Sequence, residues 1–91
     1  PAILHALSDP HRLQIVRALA DSAEPRRCGT MGLTITKSTA THHFRVLRDA
    51  GVIAQREDGT ARLNSLRRED LDERFPGLLD AILGAVAVPA A

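Results

Sequence analysis

Seven side chains between Lys37 and Arg48 have the chemistry to read a nucleic acid: Lys37, Ser38, Thr39, Thr41, His42, Arg45 and Arg48. Short hydroxyls come first and guanidinium groups follow, with no acid before Asp49. Ala40, His43, Phe44 and Leu47 recur among them at spacings of three and four, the mark of a helix with one inward face. The seven polar groups then share the outward face. On such a helix, side chains near the N-terminus meet base edges in a major groove while guanidinium groups reach phosphates.

The elements that position these groups are legible on either side. Thr36 is a helix N-cap, and the spacing predicts a helix over 36–49 that ends near Ala50, with Gly51 as its left-handed closing residue. An extended pair follows, Ile53 to Arg56 and Ala61 to Ser65, around Glu57-Asp58-Gly59-Thr60, where Asp-Gly is a strong hairpin signal. Arg56 and Arg62 flank this turn, placing cations at the tip to lie along a phosphate backbone or enter a minor groove. A solvated surface hairpin is the plain alternative. A reading helix followed by a basic wing over 53–65 is the order of a winged helix-turn-helix, a mainly α fold with a small β-hairpin.

Other chemistries find little support. Cys28 with His42 or His43 is the available nucleophile and base, and nothing identifies an orienting third group or an oxyanion site, so no catalytic residue or enzyme activity is expected. His42 and His43 point about 100° apart on a helix and cannot converge on one ion as an i, i+4 pair does. His43 falls on the inward face as a packing group, and His42 faces outward toward DNA. His11 has no second ligand near it in sequence and reads as a surface or capping histidine.

Two separated runs carry a family resemblance. Leu7-Ser8-Asp9-Pro10-His11-Arg12-Leu13-Gln14-Ile15-Val16 and Ser38-Thr39-Ala40-Thr41-His42-His43-Phe44-Arg45-Val46-Leu47-Arg48-Asp49-Ala50-Gly51-Val52-Ile53 resemble the ArsR/SmtB family of bacterial transcriptional regulators. Thr41 stands where that family usually has Ser, and Phe44 where it usually has Leu. The resemblance implies a homodimer on a pseudo-palindromic double-stranded DNA operator, usually acting as a repressor released by an inducer. It also frames the question of metal sensing. Arsenic and cadmium sites need at least two nearby thiolates, and Cys28 is alone; zinc sites draw on the last helix, and no His follows His43. No metal or other cofactor is expected, and the inducer is unassigned. A winged-helix module that docks proteins without specific DNA binding is the competing reading.

The formal charge of +1 becomes informative once divided along the chain. Residues 36–68 hold Lys37, Arg45, Arg48, Arg56, Arg62, Arg67 and Arg68 against Asp49, Glu57 and Asp58, whereas residues 69–91 hold Arg74 against five acids. Positive charge is concentrated on the helix and wing, as an electrostatic footprint for nucleic acid requires. With two Phe and no Trp or Tyr, the core must come from aliphatic residues, and a chain of 91 residues buries only roughly 60–65% of its unfolded surface. A dimer interface would add burial. No apolar run approaches a membrane span and no signal-peptide pattern occurs, so a cytoplasmic protein is expected.

Terminal apolar stripes are the candidates for that interface: Ile3, Leu4 and Leu7 at the start, and Leu78, Leu79, Ile82 and Leu83 at the end. Leu71, Phe75 and Val86 extend the second stripe, with one helix expected to about Phe75 and another from Pro76 to about Val86. These stripes complete the monomer core in the plain reading. Asp9 caps a further helix with Pro10 at its first position, and Leu13, Val16 or Ile15, and Leu19 or Ala20 make its inward face. Residues 21–29 read as a loop whose Arg26 and Arg27 touch phosphate or face water. From Cys28 to Thr36, two glycines and several β-branched residues predict a short, distorted or partly 3₁₀ helix, anchored by Met31, Leu33 and Ile35. Cys28, beside two arginines, is either a redox-sensing thiol or a small inert residue. One domain is expected over 1–88, with a flexible tail over 89–91.

Overall fold

The computed structural model describes residues 2–87, with side chains described as far as Gly84. The expected tail over 89–91 and the side chain of Val86 lie outside the described residues. Five helices surround a small antiparallel sheet: α1 (Ala2–Ala6), α2 (Pro10–Ala20), β1 (Arg26–Arg27), α3 (Lys37–Asp49), β2 (Ile53–Asp58), β3 (Ala61–Leu66), α4 (Arg68–Arg74) and α5 (Leu78–Ala87). This is a winged helix-turn-helix, as expected.

The Asp9 carboxylate accepts from the backbone N–H groups of His11 at 2.8 Å and Arg12 at 3.2 Å, satisfying donors that a helix start leaves free. Pro10 follows at the first position. The inward face of α2 is Arg12, Ile15, Val16 and Leu19; Leu13 and Ala20 are half-buried. Sequence patterning passes over Arg12 because a buried arginine has the wrong polarity for a core face. Its partners, described below, are what permit burial.

The sheet has three strands, a correction to the expected hairpin. β2 and β3 pair from Ile53↔Leu66 to Asp58↔Ala61, so β2 runs two residues further toward the tip than expected, while β3 starts at Ala61 as expected and ends one residue later, at Leu66. Gly59, at φ +64°, occupies the first position of a two-residue loop. Beyond them, Arg26 pairs with Asn64 and Arg27 with Leu63, so part of the expected loop over 21–29 is strand β1. Asn64 secures that strand: fully buried, it donates to the Arg26 carbonyl at 3.0 Å and accepts from Gln55 Nε2 at 2.8 Å.

Between β1 and α3 the distorted helix reduces to one 3₁₀ turn, Cys28–Thr30. The segment after it holds its course through Gln14, whose amide donates to the Gly32 carbonyl at 3.2 Å, with Gly32 at φ +68°. Met31 is buried and Leu33 packs against the core, but Ile35 turns to the groove beside α3 instead of anchoring the loop. At the other end, α5 begins at Leu78, two residues later than expected. Pro76 and Gly77, the latter at φ +82°, form the turn between α4 and α5.

Ile15, Val16, Leu47, Val52 and Ile53 form the centre of the core, each essentially inaccessible. The terminal helices supply more of it than expected. Ile3, Leu7, Leu79 and Leu83 are buried within this one chain, so they close the monomer instead of waiting for a partner. Leu79 and Leu83, one turn apart, share the inward face of α5. Leu78 and Ile82 lie on an adjacent, half-buried face, and Leu4 on α1 is 47% exposed. These three remain of the seven apolar positions proposed for an interface.

Candidate nucleic-acid interface

Thr36 starts α3 by accepting from the Thr39 N–H at 3.3 Å through its hydroxyl, which in turn donates to Thr39 Oγ1 at 2.8 Å. His43, Phe44 and Leu47 hold the helix to the core, and Ala40 is half-buried. All seven polar side chains named from the sequence are exposed. They divide into two groups. Lys37, Thr41, Arg45 and Arg48 recur on the side facing the wing, where Arg62 joins them around a groove; Ser38, Thr39 and His42 lie away from it. Thr41 donates to the Lys37 carbonyl at 2.9 Å, which leaves its oxygen lone pairs as the outward-facing function. Arg48 is tied back to Asp49 at 3.1 Å and Gln55 at 3.3 Å, bracing the helix end against the wing.

Arg27 lines the same groove, brought there by its pairing with β3. Arg26 turns the other way and donates to the Thr30 carbonyl. No local sequence signal separates these adjacent arginines, since the register with β3 decides between them. Cys28 also lines the groove, half-buried, with Sγ accepting from Asn64 Nδ2 at 3.2 Å.

Behind α3 lies a polar lock that no local sequence pattern indicates. Arg12 Nε donates to the Ala6 carbonyl at 2.6 Å and Nη2 to the His5 carbonyl at 3.4 Å, satisfying the C-terminal carbonyls of α1. Its Nη1 donates to His43 Nδ1 on α3 at 3.1 Å. Accepting there makes His43 the Nε2–H tautomer, with that N–H facing Asp9 Oδ1 at 3.9 Å. His11 stacks on His43 with ring centroids 5.6 Å apart.

One ligand atom each from Asp9, His11 and His43 falls within 4.8 Å of the others, so His11 does have potential co-ligands, a carboxylate two positions before it and a histidine 32 positions after it. The hydrogen bonding opposes a cation. His43 would have to give up its Nδ1 acceptor role to offer Nε2 to a metal, and Asp9 Oδ1 already receives two backbone N–H groups at the positive end of a helix.

Burial holds His43 below its ordinary value of 6.5; Asp9 opposes this shift, while Arg12, His11 and His42 reinforce it. For Asp9, burial acts upward, but the backbone donors of Arg12 and His11 and the charges of His43 and Arg12 bring its carboxyl below the usual 3.8. A histidine neutral in the fold and free to protonate when unfolded favours unfolding as pH falls. His43 thus contributes full stability above 6.5 and loses it as pH drops through its lowered folded value. Melting temperature should therefore fall from about pH 7 to pH 5. His43→Gln, whose amide oxygen can accept from Arg12, should flatten that slope; an equal slope in the variant would contradict the assignment. Asp9 titrates below this window.

Comparison with known proteins fits this geometry. Residues 7–56 match the helix-turn-helix domain family. An uncharacterized HTH-type transcriptional regulator of Bacillus subtilis, YceK, is 40% identical over 82 residues, which span 88% of this chain and 82% of YceK. The solution structure of the homodimeric winged helix-turn-helix DNA-binding domain Mb0332 from Mycobacterium bovis, a possible ArsR-family regulator, superposes with TM-score 0.70 at 25% identity. It covers 94% of this chain and 75% of that one. The chain belongs to the helix-turn-helix domain family. In fold it also matches the transcriptional repressor BigR from Xylella fastidiosa, with TM-score 0.73 at 21% identity over 96% of this chain and 85% of BigR. As a helix-turn-helix protein whose structural neighbours are ArsR-family regulators, it is a DNA-binding transcriptional regulator. None of its described helices is long and apolar enough to cross a membrane.

Proposed function

We propose that this regulator is a cytoplasmic, non-enzymatic homodimeric repressor that places two α3 helices in successive major grooves of a pseudo-palindromic operator. One domain, the expected 1–88, carries the whole reading surface. The observation behind this reading is the exposed, acid-free polar face of α3 between Lys37 and Arg48, continued by Arg62 on the wing. Ser38, Thr39 and His42 are assigned to base edges, and Lys37, Thr41, Arg45, Arg48 and Arg62 to the phosphate backbone. The homodimeric state of Mb0332 and the accessible Leu4, Leu78 and Ile82 support pairing through the terminal helices. Half-sites should then lie about 34–36 Å apart, roughly one turn of DNA.

A mobility-shift titration against the DNA upstream of the protein's own gene tests this. Arg45→Ala should weaken binding across all sequences, whereas Ser38, Thr39 or His42 substitutions should also change base preference. With roughly three to five phosphates neutralised per protomer, the log–log salt slope of a dimer should be about −5 to −9. A slope near zero would remove the electrostatic basis of the assignment. Cys28 is proposed as a redox input only if mild peroxide lowers operator affinity in the wild type and spares Cys28→Ser; equal loss in both, or in neither, leaves it as packing.

A further inference from the structure

The groove between α3, the segment after the 3₁₀ turn and the wing has a volume of about 770 Å³, within the usual range of roughly 300–1,000 Å³ for small-molecule sites. Its composition is lopsided. Arg27, Lys37, Arg45, Arg48 and Arg62 surround it, and no acidic residue lines it. Arg48 is engaged with Asp49, but the other four have no acidic partner among the described residues. The floor is apolar, with Leu33, Ile35 and Ala40 half-buried beside the buried Phe44. Phosphodiesters account for the cations and give no reason for the floor. Ile35 could have joined the core and instead lines the groove.

We propose that this groove binds an organic carboxylate with an apolar body, such as a medium-chain fatty acid or an aromatic acid. The carboxylate meets the guanidinium groups of the rim in charge-assisted hydrogen bonds, and the apolar body covers the floor. A simple anion gains only the first interaction, and an alcohol of equal length only the second. Since Lys37, Arg45 and Arg62 are also the proposed phosphate contacts, an occupied groove competes with the operator. This regulatory consequence rests on the DNA-binding assignment; the binding site does not.

Decanoate, held below its micelle concentration, is the probe, and calorimetry on the full chain without DNA is the first measurement. One decanoate should bind per chain, at least tenfold tighter than decanol, acetate or inorganic phosphate. Ile35→Glu, which sets an acid in the floor outside the packed core, and Arg27→Gln should each weaken decanoate at least fivefold while leaving the melting temperature near wild type. In a second measurement, decanoate should raise the apparent Kd for the operator in proportion to its concentration.

Equal binding of decanol would reduce the groove to an apolar surface, and equal binding of acetate or phosphate would reduce it to a plain anion cleft. Absence of saturation, or wild-type affinity in both variants, would also overturn the site. If decanoate binds as expected and leaves operator affinity unchanged, competition is wrong. If decanoate binds but no DNA does at any salt concentration, the DNA assignment fails and the carboxylate site stands.

Discussion

Arg12→Ala should lower the unfolding free energy by about 2–4 kcal/mol, because it removes a buried cation that bonds two carbonyls and an imidazole. A chain of this size holds roughly 5–14 kcal/mol in total, so the variant should melt well below the wild type. The loss has a recognisable distribution. Removing the guanidinium leaves the end of α1 uncapped, separates it from α3 and takes away one of the charges that keep His43 neutral. The His43 imidazole should therefore titrate at higher pH in Arg12→Ala, visible in its ring NMR shifts. Arg12→Lys should recover only part of the stability, since an ammonium cannot present three donors in a rigid fork. Urea unfolding checks the first expectation; a loss below about 0.5 kcal/mol, within the range of ordinary surface changes, would show that the lock contributes little.

Leu4→Asp should dissociate the proposed dimer and lower operator affinity by about 10²–10⁴-fold, the advantage of tethering two half-site readers. Leu4 is the suitable position because it is 47% exposed, so a charge there costs the folded monomer little. Ile82→Asp should act in the same direction with some added loss of stability, since Ile82 also packs against the core. Leu79→Asp is different in kind. That side chain is 2% exposed within one chain, and a charge in its place should unfold the monomer. Sedimentation velocity with circular dichroism separates the cases. A folded Leu4→Asp that remains dimeric, or a monomer that keeps tight operator binding, would contradict the proposed assembly.

The contrast among Leu4, Ile82 and Leu79 shows how far a sequence carries this fold. Periodicity places apolar residues on a helix face but cannot say whether the covering surface belongs to the same chain or another. It found α3 and its outward groups because cap, spacing and closing glycine are all local and agree. It missed β1 because a two-residue strand has no alternation to detect, and its partners Leu63 and Asn64 lie far along the chain. Arg12 was illegible for a related reason. Two of its partners are backbone carbonyls, which any residue type supplies, and the third is His43, 31 positions away. The groove floor could not be foreseen either, since Ile35 reads as core until the loop turns it aside.

Val52 has a mechanical consequence. Its N–H donates to the Leu47 carbonyl at the end of α3, and its carbonyl accepts from the Arg67 N–H just past the wing, both at 3.0 Å. One buried residue thus latches the helix exit to both roots of the wing. Helix and wing should pivot as a single lever, with their mutual angle preset before DNA arrives. Any signal that releases the operator then has two mechanical routes: to plug the gap between helix and wing, or to change the distance between two whole levers across the pair of subunits.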